Sequence, residues 1–443
     1  MTLLRPLLRL LPLACTAMLT LPAQAQVPSE LYEAARAHDA AFQAARAQLE
    51  AAGFRAEQAR AGLLPQAALQ SNISQSHFNN SATNVGRGFA TQGATLSASH
   101  PLFRPANAAT FEQGQRQLEL ARAQLESANQ DLILRLSQTY FDILAAQDTL
   151  AFVRAQKTAV NEQLSAARRN FEVGTATITD TREAQARFDL VTAQEIAAEN
   201  DLLVRRLALE SLVGRTGVQP VPLATPVPVP APQPADVDAW VRQSEDASPA
   251  IQQARRALEI ARLETQKARA GQLPTVDVVA SHNLANNPAG STITPASSRT
   301  HTTLVGLTLN MPLYTGNSVQ NRIRETLALE ERAQADLDAA RRNVAQATRT
   351  AYFGVVSGTG QVRALEAAES SSQLALDANR LGYQVGVRIN IDVLNAQSQL
   401  FQTKRDLAVA RYNVLLGQLR LRQANGTLSP QDLSTLDALV VRR

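Results

Sequence analysis

The residues best able to bind a metal or move a proton near neutral pH are five histidines: His38, His77, His100, His282 and His301. None stands at metal-ligand spacing from another, and four lie in or beside stretches read below as strands, where solvated loop or barrel positions account for them. The only cysteine is Cys15. No nucleophile elbow, phosphate loop or paired-carboxylate constellation occurs. These absences argue against an enzyme and give no reason to expect a cofactor or metal. What remains are two aspartates, Asp180 and Asp392, each following a glycine turn, Val173-Gly174-Thr175 and Val385-Gly386-Val387. Near a helix start a carboxylate is favoured by exposed N–H groups, so capping alone accounts for both unless their surroundings add a second role.

The elements that position these residues follow from composition and period. Aromatics are only 4% of 443 residues, while alanine and leucine carry most of the 45% apolar content. That is thin material for a compact core and good material for long helices. The net charge of +4 contains no basic block, which excludes nucleic acid as a partner. Residues 1–25 read as a secretory signal, with Arg5 and Arg9, an apolar run from Leu10 to Leu21, and Ala23-Gln24-Ala25 as a cleavage site. Lipidation of Cys15 is the alternative, but Pro12-Leu13-Ala14 before it is a poor match. No later stretch supplies the roughly 18 to 20 apolar residues of a membrane-spanning helix. Entry into a bilayer therefore has to be as β-strands.

One plan is written twice. Gly62-Leu63-Leu64-Pro65 returns as Gly271-Gln272-Leu273-Pro274, Pro101-Leu102-Phe103 as Pro312-Leu313-Tyr314, and Tyr140-Phe141 as Tyr352-Phe353. The expected organisation is a first repeat at 26–218, a proline-rich linker at 219–235, a second repeat at 236–428 and a tail at 429–443. Each repeat reads as helix, two strands, long helix, turn and returning helix. From about Pro105 to Phe171 a heptad seam runs through Ile143, Leu150, Leu164 and Phe171, with Val153, Val160 and Ala167 beside it. Val355, Val362, Leu376 and Tyr383 repeat it, and Lys157 and Glu369 hold the polar register. Some 65 residues of helix make a rod of roughly 100 Å. The tyrosine–phenylalanine pairs read as packing residues at a helix interface.

Residues 63–77, 91–103, 273–285 and 301–314 have the other period. In the last, Thr303, Val305, Leu307, Leu309 and Met311 point one way and Thr302, Leu304, Gly306, Thr308 and Asn310 the other. Four strands cannot close a barrel, because the smallest outer-membrane barrels use about eight. An open edge in lipid would leave backbone groups unpaired. The barrel must be shared, and three chains leave a wider passage than two.

With those elements in place, Asn170-Phe171-Glu172-Val173-Gly174 with Ile178-Thr179-Asp180, and Tyr383-Gln384-Val385-Gly386-Val387-Arg388 with Ile391-Asp392-Val393-Leu394-Asn395-Ala396, resemble the hairpin turns of the TolC family. Ala410-Arg411-Tyr412-Asn413 through Gly426-Thr427-Leu428 extends the resemblance to outer-membrane efflux and type I secretion channels over essentially the whole mature chain. It implies a mainly α fold with a β-barrel part: a homotrimer with a 12-stranded barrel in outer-membrane lipid and a helical tunnel in the Gram-negative periplasm. The implied partners are a periplasmic adaptor (membrane fusion protein), docking at the hairpin turns, and an inner-membrane transporter of the RND or ABC type. By position, Arg388 and Tyr383 are expected to reach Thr179 and Asp180 and close the inner end, with Asp392 and Asn395 at the constriction. Asn395 stands where the family pattern has a second acid, which halves the acidic count. A secreted coiled-coil scaffold or adhesin without a pore is the alternative, but leaves the matched strand pairs unexplained. An adaptor would be expected to carry one hairpin, not two.

Overall fold

The structure, a computed structural model, describes residues 26–82, 85–224, 227, 230–290 and 296–440. The expected leader, its cleavage site and Cys15 lie outside the described residues. Among those described, no helix is long and apolar enough to cross a membrane.

The chain begins with α1 (Pro28–His38) and α2 (Ala40–Ala61), then β1 (Gln66–Asn80) and β2 (Val85–Phe103), the long α3 (Pro105–Glu172) and the returning α4 (Ile178–Val213). After the strap come α5 (Val237–Ala247), α6 (Pro249–Ala270), β3 (Thr275–Asn287), β4 (Ser298–Asn310), α7 (Ser318–Gln384), α8 (Asn390–Asn425) and a short α9 (Pro430–Asp437). Where a single helix is expected before each strand pair, there are two. Asp39 breaks the first by capping Phe42 N–H at 2.8 Å, and Ser248 with Pro249 at the first helical position restarts the second. Residues 429–443 are not all tail: Ser429 and Asp432 form a reciprocal capping box that starts α9.

The rods follow the heptads. Ile143, Leu150, Val153, Val160, Leu164 and Ala167 of α3 are buried, as are Val355, Val362 and Leu376 of α7. Phe171, at the end of the expected seam, is 44% exposed because α3 stops one residue later. At the polar register Lys157, half-buried, reaches across to Glu195 of α4 at 2.7 Å, and its neighbour Gln156 is buried.

The strands form one antiparallel sheet in the order β1-β2-β3-β4, so β2 and β3 join the two halves. Pro312 donates no N–H, and β4 ends at Asn310 rather than at 314. β2 starts at Val85, before the expected 91. The register puts Leu69, Leu96, His282 and Thr303 in one row and Ala67, Ala98, Ala280 and Val305 in the next on the same face. That face carries the exposed Ile73, Val305, Leu307 and Leu309. Ser97, Ala68, Ser281 and Leu304 make a row on the other face, and Thr95, Gln70, Asn283 and Thr302 the next.

The largest core is a belt around the middle of the rods. Leu31, Leu136, Tyr140, Leu209, Leu416 and Leu433 pack there with Val221 and Leu223 of the strap. Tyr140 Oη donates to Val221 O at 2.6 Å, and Tyr352 Oη donates to Ala235 O. The two tyrosines thus pin the strap from opposite halves, a role beyond the helix packing expected of them. Phe353, expected to pack, is 57% exposed within one chain.

Candidate functional site

The two hairpin turns have matching backbones. Gly174 and Gly386 both lie at φ +79, the left-handed region that favours glycine. Thr175 N–H donates to Asn170 O at 2.8 Å, and Val387 N–H to Gly382 O at 2.9 Å. These bonds use carbonyls left free at the helix ends. Val173, Val385 and Val387 stand 71%, 65% and 76% exposed at the tips. Both tips therefore present an apolar side chain on a rigid turn.

Directly after the second turn, consecutive residues are divided among three surroundings. Val393 packs with Leu376 and Leu400 of its own hairpin. Leu394 enters the other hairpin, among Val160, Leu164, Ala184 and Val191. A helix rotates about 100° per residue, so with Val393 and Leu394 committed, Asn395 is left exposed and Asp392 only half-buried. Burial of two apolar neighbours is what fixes the polar face of α8.

Within one chain the links between hairpins differ in part from those expected. Arg388 Nη1 lies 3.6 Å from Asp392 Oδ2, one turn along the same segment. Tyr383 Oη accepts from Asn170 Nδ2 at 3.3 Å. The carboxylate of Asp180 is already used: it accepts from Thr177 N–H at 3.0 Å and from the Thr177 hydroxyl at 2.8 Å in a capping box. Thr179 is exposed, and among the described residues no hydrogen bond joins it to Tyr383 or Arg388. The expected contact of Arg388 and Tyr383 with Thr179 and Asp180 is therefore not made within one chain. A cap at the start of α4 competes for Asp180, and Asp392 is the acid nearest to Arg388.

Asn390 and Arg187, which sequence reasoning missed, make further ties beside that of Tyr383. Asn390, fully buried, donates to the Asp180 carbonyl at 3.3 Å and accepts from Gln163 Nε2. Arg187 Nη2 of α4 donates to Asn395 Oδ1 at 2.9 Å. The site so assembled is a polar, non-covalent latch between two rods. Among the described residues, no group of three His, Cys, Asp or Glu side chains is placed to hold a metal.

A sequence profile of the family described as outer membrane efflux protein matches residues 31–215 and 240–427, one stretch on each side of the strap. The chain belongs to the outer membrane efflux protein family. It is 31% identical over 410 residues to the outer membrane protein TolC of Vibrio cholerae, covering 93% of each chain. It is also 31% identical over 415 residues to the alkaline protease secretion protein AprF of Pseudomonas aeruginosa, covering 92% of this chain and 86% of that one. The solved outer membrane protein VceC of Vibrio cholerae superposes with a TM-score of 0.78 at 20% identity, covering 90% of this chain and 96% of that one. As a family member the protein is a non-enzymatic outer-membrane channel of the efflux and type I secretion class. Channels of this family work with adaptors and inner-membrane transporters. The poreless scaffold or adhesin finds no support.

Proposed function

We propose that three copies of this efflux-family chain lay their sheets edge to edge into a single twelve-stranded barrel, continued by twelve long helices as a periplasmic tunnel. The sheet carries the argument. Its order leaves the outer edges of β1 and β4 without a strand partner among the described residues, and one face bears the exposed Leu307 and Leu309. In lipid each unpaired backbone group costs several kcal/mol, which cyclic closure removes. The apolar face turns to lipid and the serine- and threonine-rich face lines the passage. The paired order of elements on either side of the strap is the trace of two tandem repeats, 26–218 and 236–428, joined by the linker 219–235.

Transport through this duct needs no bond chemistry. At the inner end, Asp392 and Asn395 form the constriction once three subunits converge. The ties through Asn390, Arg187 and Tyr383 hold hairpin against hairpin, and Arg388 keeps N–H groups free for Thr179 and Asp180 of a neighbouring subunit. Opening exchanges a few such hydrogen bonds per subunit for contacts with a partner. The turns Val173-Gly174-Thr175 and Val385-Gly386-Val387 are the surface offered to a periplasmic adaptor, which couples the duct to an RND or ABC transporter. Similarity to TolC and to a protease secretion protein supports both efflux and protein export, the transporter choosing the cargo.

The test is assembly. Detergent extracts of the outer-membrane fraction are expected to contain trimers that resist dodecyl sulfate until heated and that carry a β-sheet signal by circular dichroism. A monodisperse monomer purified without detergent and lacking sheet overturns the proposal.

A further inference from the structure

The two hairpins do not meet flush. Between α4 and α8, with α3 behind, they border an open cavity of about 410 Å³ whose wall includes Gln156, Arg187, Gln194, Ser398 and Arg405. Asn395, Ser398, Gln402 and Arg405 recur at three- and four-residue steps, so they share one face of α8. Arg187 and Gln194 stand seven apart and share a face of α4.

The chemistry of this wall is one-sided. No aspartate or glutamate lines it. Arg187 has an amide partner, Asn395, and Arg405 Nη2 donates to Gln402 Oε1 at 2.6 Å. Among the described residues neither guanidinium has a carboxylate within salt-bridge distance. Burial pushes the Arg405 guanidinium below its usual range, against a rise from nearby Asp406. It is a half-buried cation with no salt-bridge partner among the described residues.

The same wall holds unpartnered polar atoms. Gln156 is 3% exposed, and its Oε1 has no hydrogen-bond partner. Gln194 Oε1 and Ser398 Oγ, also on this wall, are buried and without partner. A carboxamide turns over at little cost to present its N–H₂ instead, and a serine hydroxyl rotates to donate. Buried polar groups are satisfied in folded proteins as a rule. An anionic occupant neutralises both guanidiniums that line the cavity, and the Gln156, Gln194 and Ser398 groups, shielded from the open volume in the single chain, bond it once their side chains turn toward it.

We propose that this cavity is a binding site for a small divalent oxyanion of the phosphate or sulfate kind, held by Arg187 and Arg405 and completed by Gln156, Gln194 and Ser398. Two guanidiniums match two negative charges, and arginine's planar fork suits tetrahedral oxyanions. Because Arg187 also holds Asn395, occupancy of the cavity bears on how firmly α4 grips α8. The site stands on the fold of a single chain and does not depend on trimer closure.

Isothermal titration of the detergent-solubilised full chain with sodium sulfate, and separately with sodium phosphate, at low ionic strength tests it. Wild-type protein is expected to show one saturable site per chain for at least one of the two anions, and none for chloride at matched ionic strength. Arg187→Gln and Arg405→Gln are each expected to weaken it at least tenfold. Arg332→Gln, on an exposed face of α7, serves as the charge-matched control and retains full affinity. Native electrophoresis checks that the variants remain assembled like wild type. Absence of saturable binding of both anions to wild type, or unchanged affinity in both cavity variants, overturns the site.

Discussion

Arg104, at the mouth of α3, forks onto Asp277 of β3, with Nε donating to Oδ1 at 2.7 Å and Nη2 to Oδ2 at 2.6 Å. The pair joins the first rod to a strand of the second half at the point where sheet gives way to helix. Asp277 is the buried partner, its side chain 13% exposed against 45% for Arg104. Arg104→Ala leaves that carboxylate unpaired. After allowance for the exposed guanidinium, a loss of about 1 to 3 kcal/mol is expected. Thermal dissociation of the assembled protein is the measurement, and Arg104→Lys recovers only part of the loss because lysine cannot fork. An unchanged midpoint in both variants removes the junction from the list of stabilising contacts.

The two faces of β4 make a second expectation sharp. Leu307 lies on the apolar face, opposite Val278, and Thr308 on the polar face, opposite Asp277. Leu307→Arg places a cation in lipid, at a cost that rises from about 1 kcal/mol near an interface to about 2 to 4 kcal/mol at the bilayer midplane. Thr308→Arg places one toward water and, beside Asp277, is tolerated. Urea unfolding of the reconstituted protein compares the two. Equal loss in both variants contradicts the assignment of faces.

The latch makes a third. Asn390 is buried and bonds both Gln163 and the Asp180 carbonyl, whereas Arg388 is 59% exposed in its pairing with Asp392. Removing the buried link costs about 1 to 3 kcal/mol, and removing the exposed ion pair costs little. In planar bilayers Asn390→Ala is therefore expected to raise single-channel conductance more than Arg388→Ala. The reverse order assigns closure to bonds that Arg388 makes across subunits.

How much of this was legible depends on how local each signal is. A heptad is written within one helix, so Val153, Val160 and Leu164 announce the rod, and Gly174 and Gly386 announce its ends. Alternation is equally local, and β3 begins within two residues of its expected start. The breaks at Asp39 and Ser248 and the start of α9 also carry local signals: a capping residue, and proline at a first helical position. The partners of Asn390 and Arg187 carry none. They are set by how one hairpin is rotated against the other, and the period of a single hairpin does not specify that angle. The competition for Asp180 is local by contrast: Thr177, three residues earlier, already engages it in a capping box.

Asp148 offers a test in which pH is the variable. It sits half-buried on α3, where the Tyr412 hydroxyl of α8 donates to Oδ2 at 2.6 Å. Burial pushes its carboxyl above the usual carboxylate range, and the Tyr412 bond only partly offsets this. Lys404, Arg411 and Glu369 line the adjoining cavity. Arg411 is matched by Glu366 at 2.8 Å and Lys404 by Glu369 at 4.0 Å, so the nearby cations have acids of their own. A folded-state pKa above the unfolded value of about 3.9 means the folded chain binds more protons between the two. Stability from this group therefore falls as pH rises through that window, and the penalty is fully present above it. Asp148→Asn keeps an acceptor for Tyr412 and removes the charge. The variant is expected to melt higher than wild type at pH 7 to 8, with the difference shrinking as pH falls to about 3, below the unfolded value, where the wild-type acid is mostly protonated in both states. Melting curves across that range check it, and a difference that stays constant with pH shows that the carboxyl is not the source.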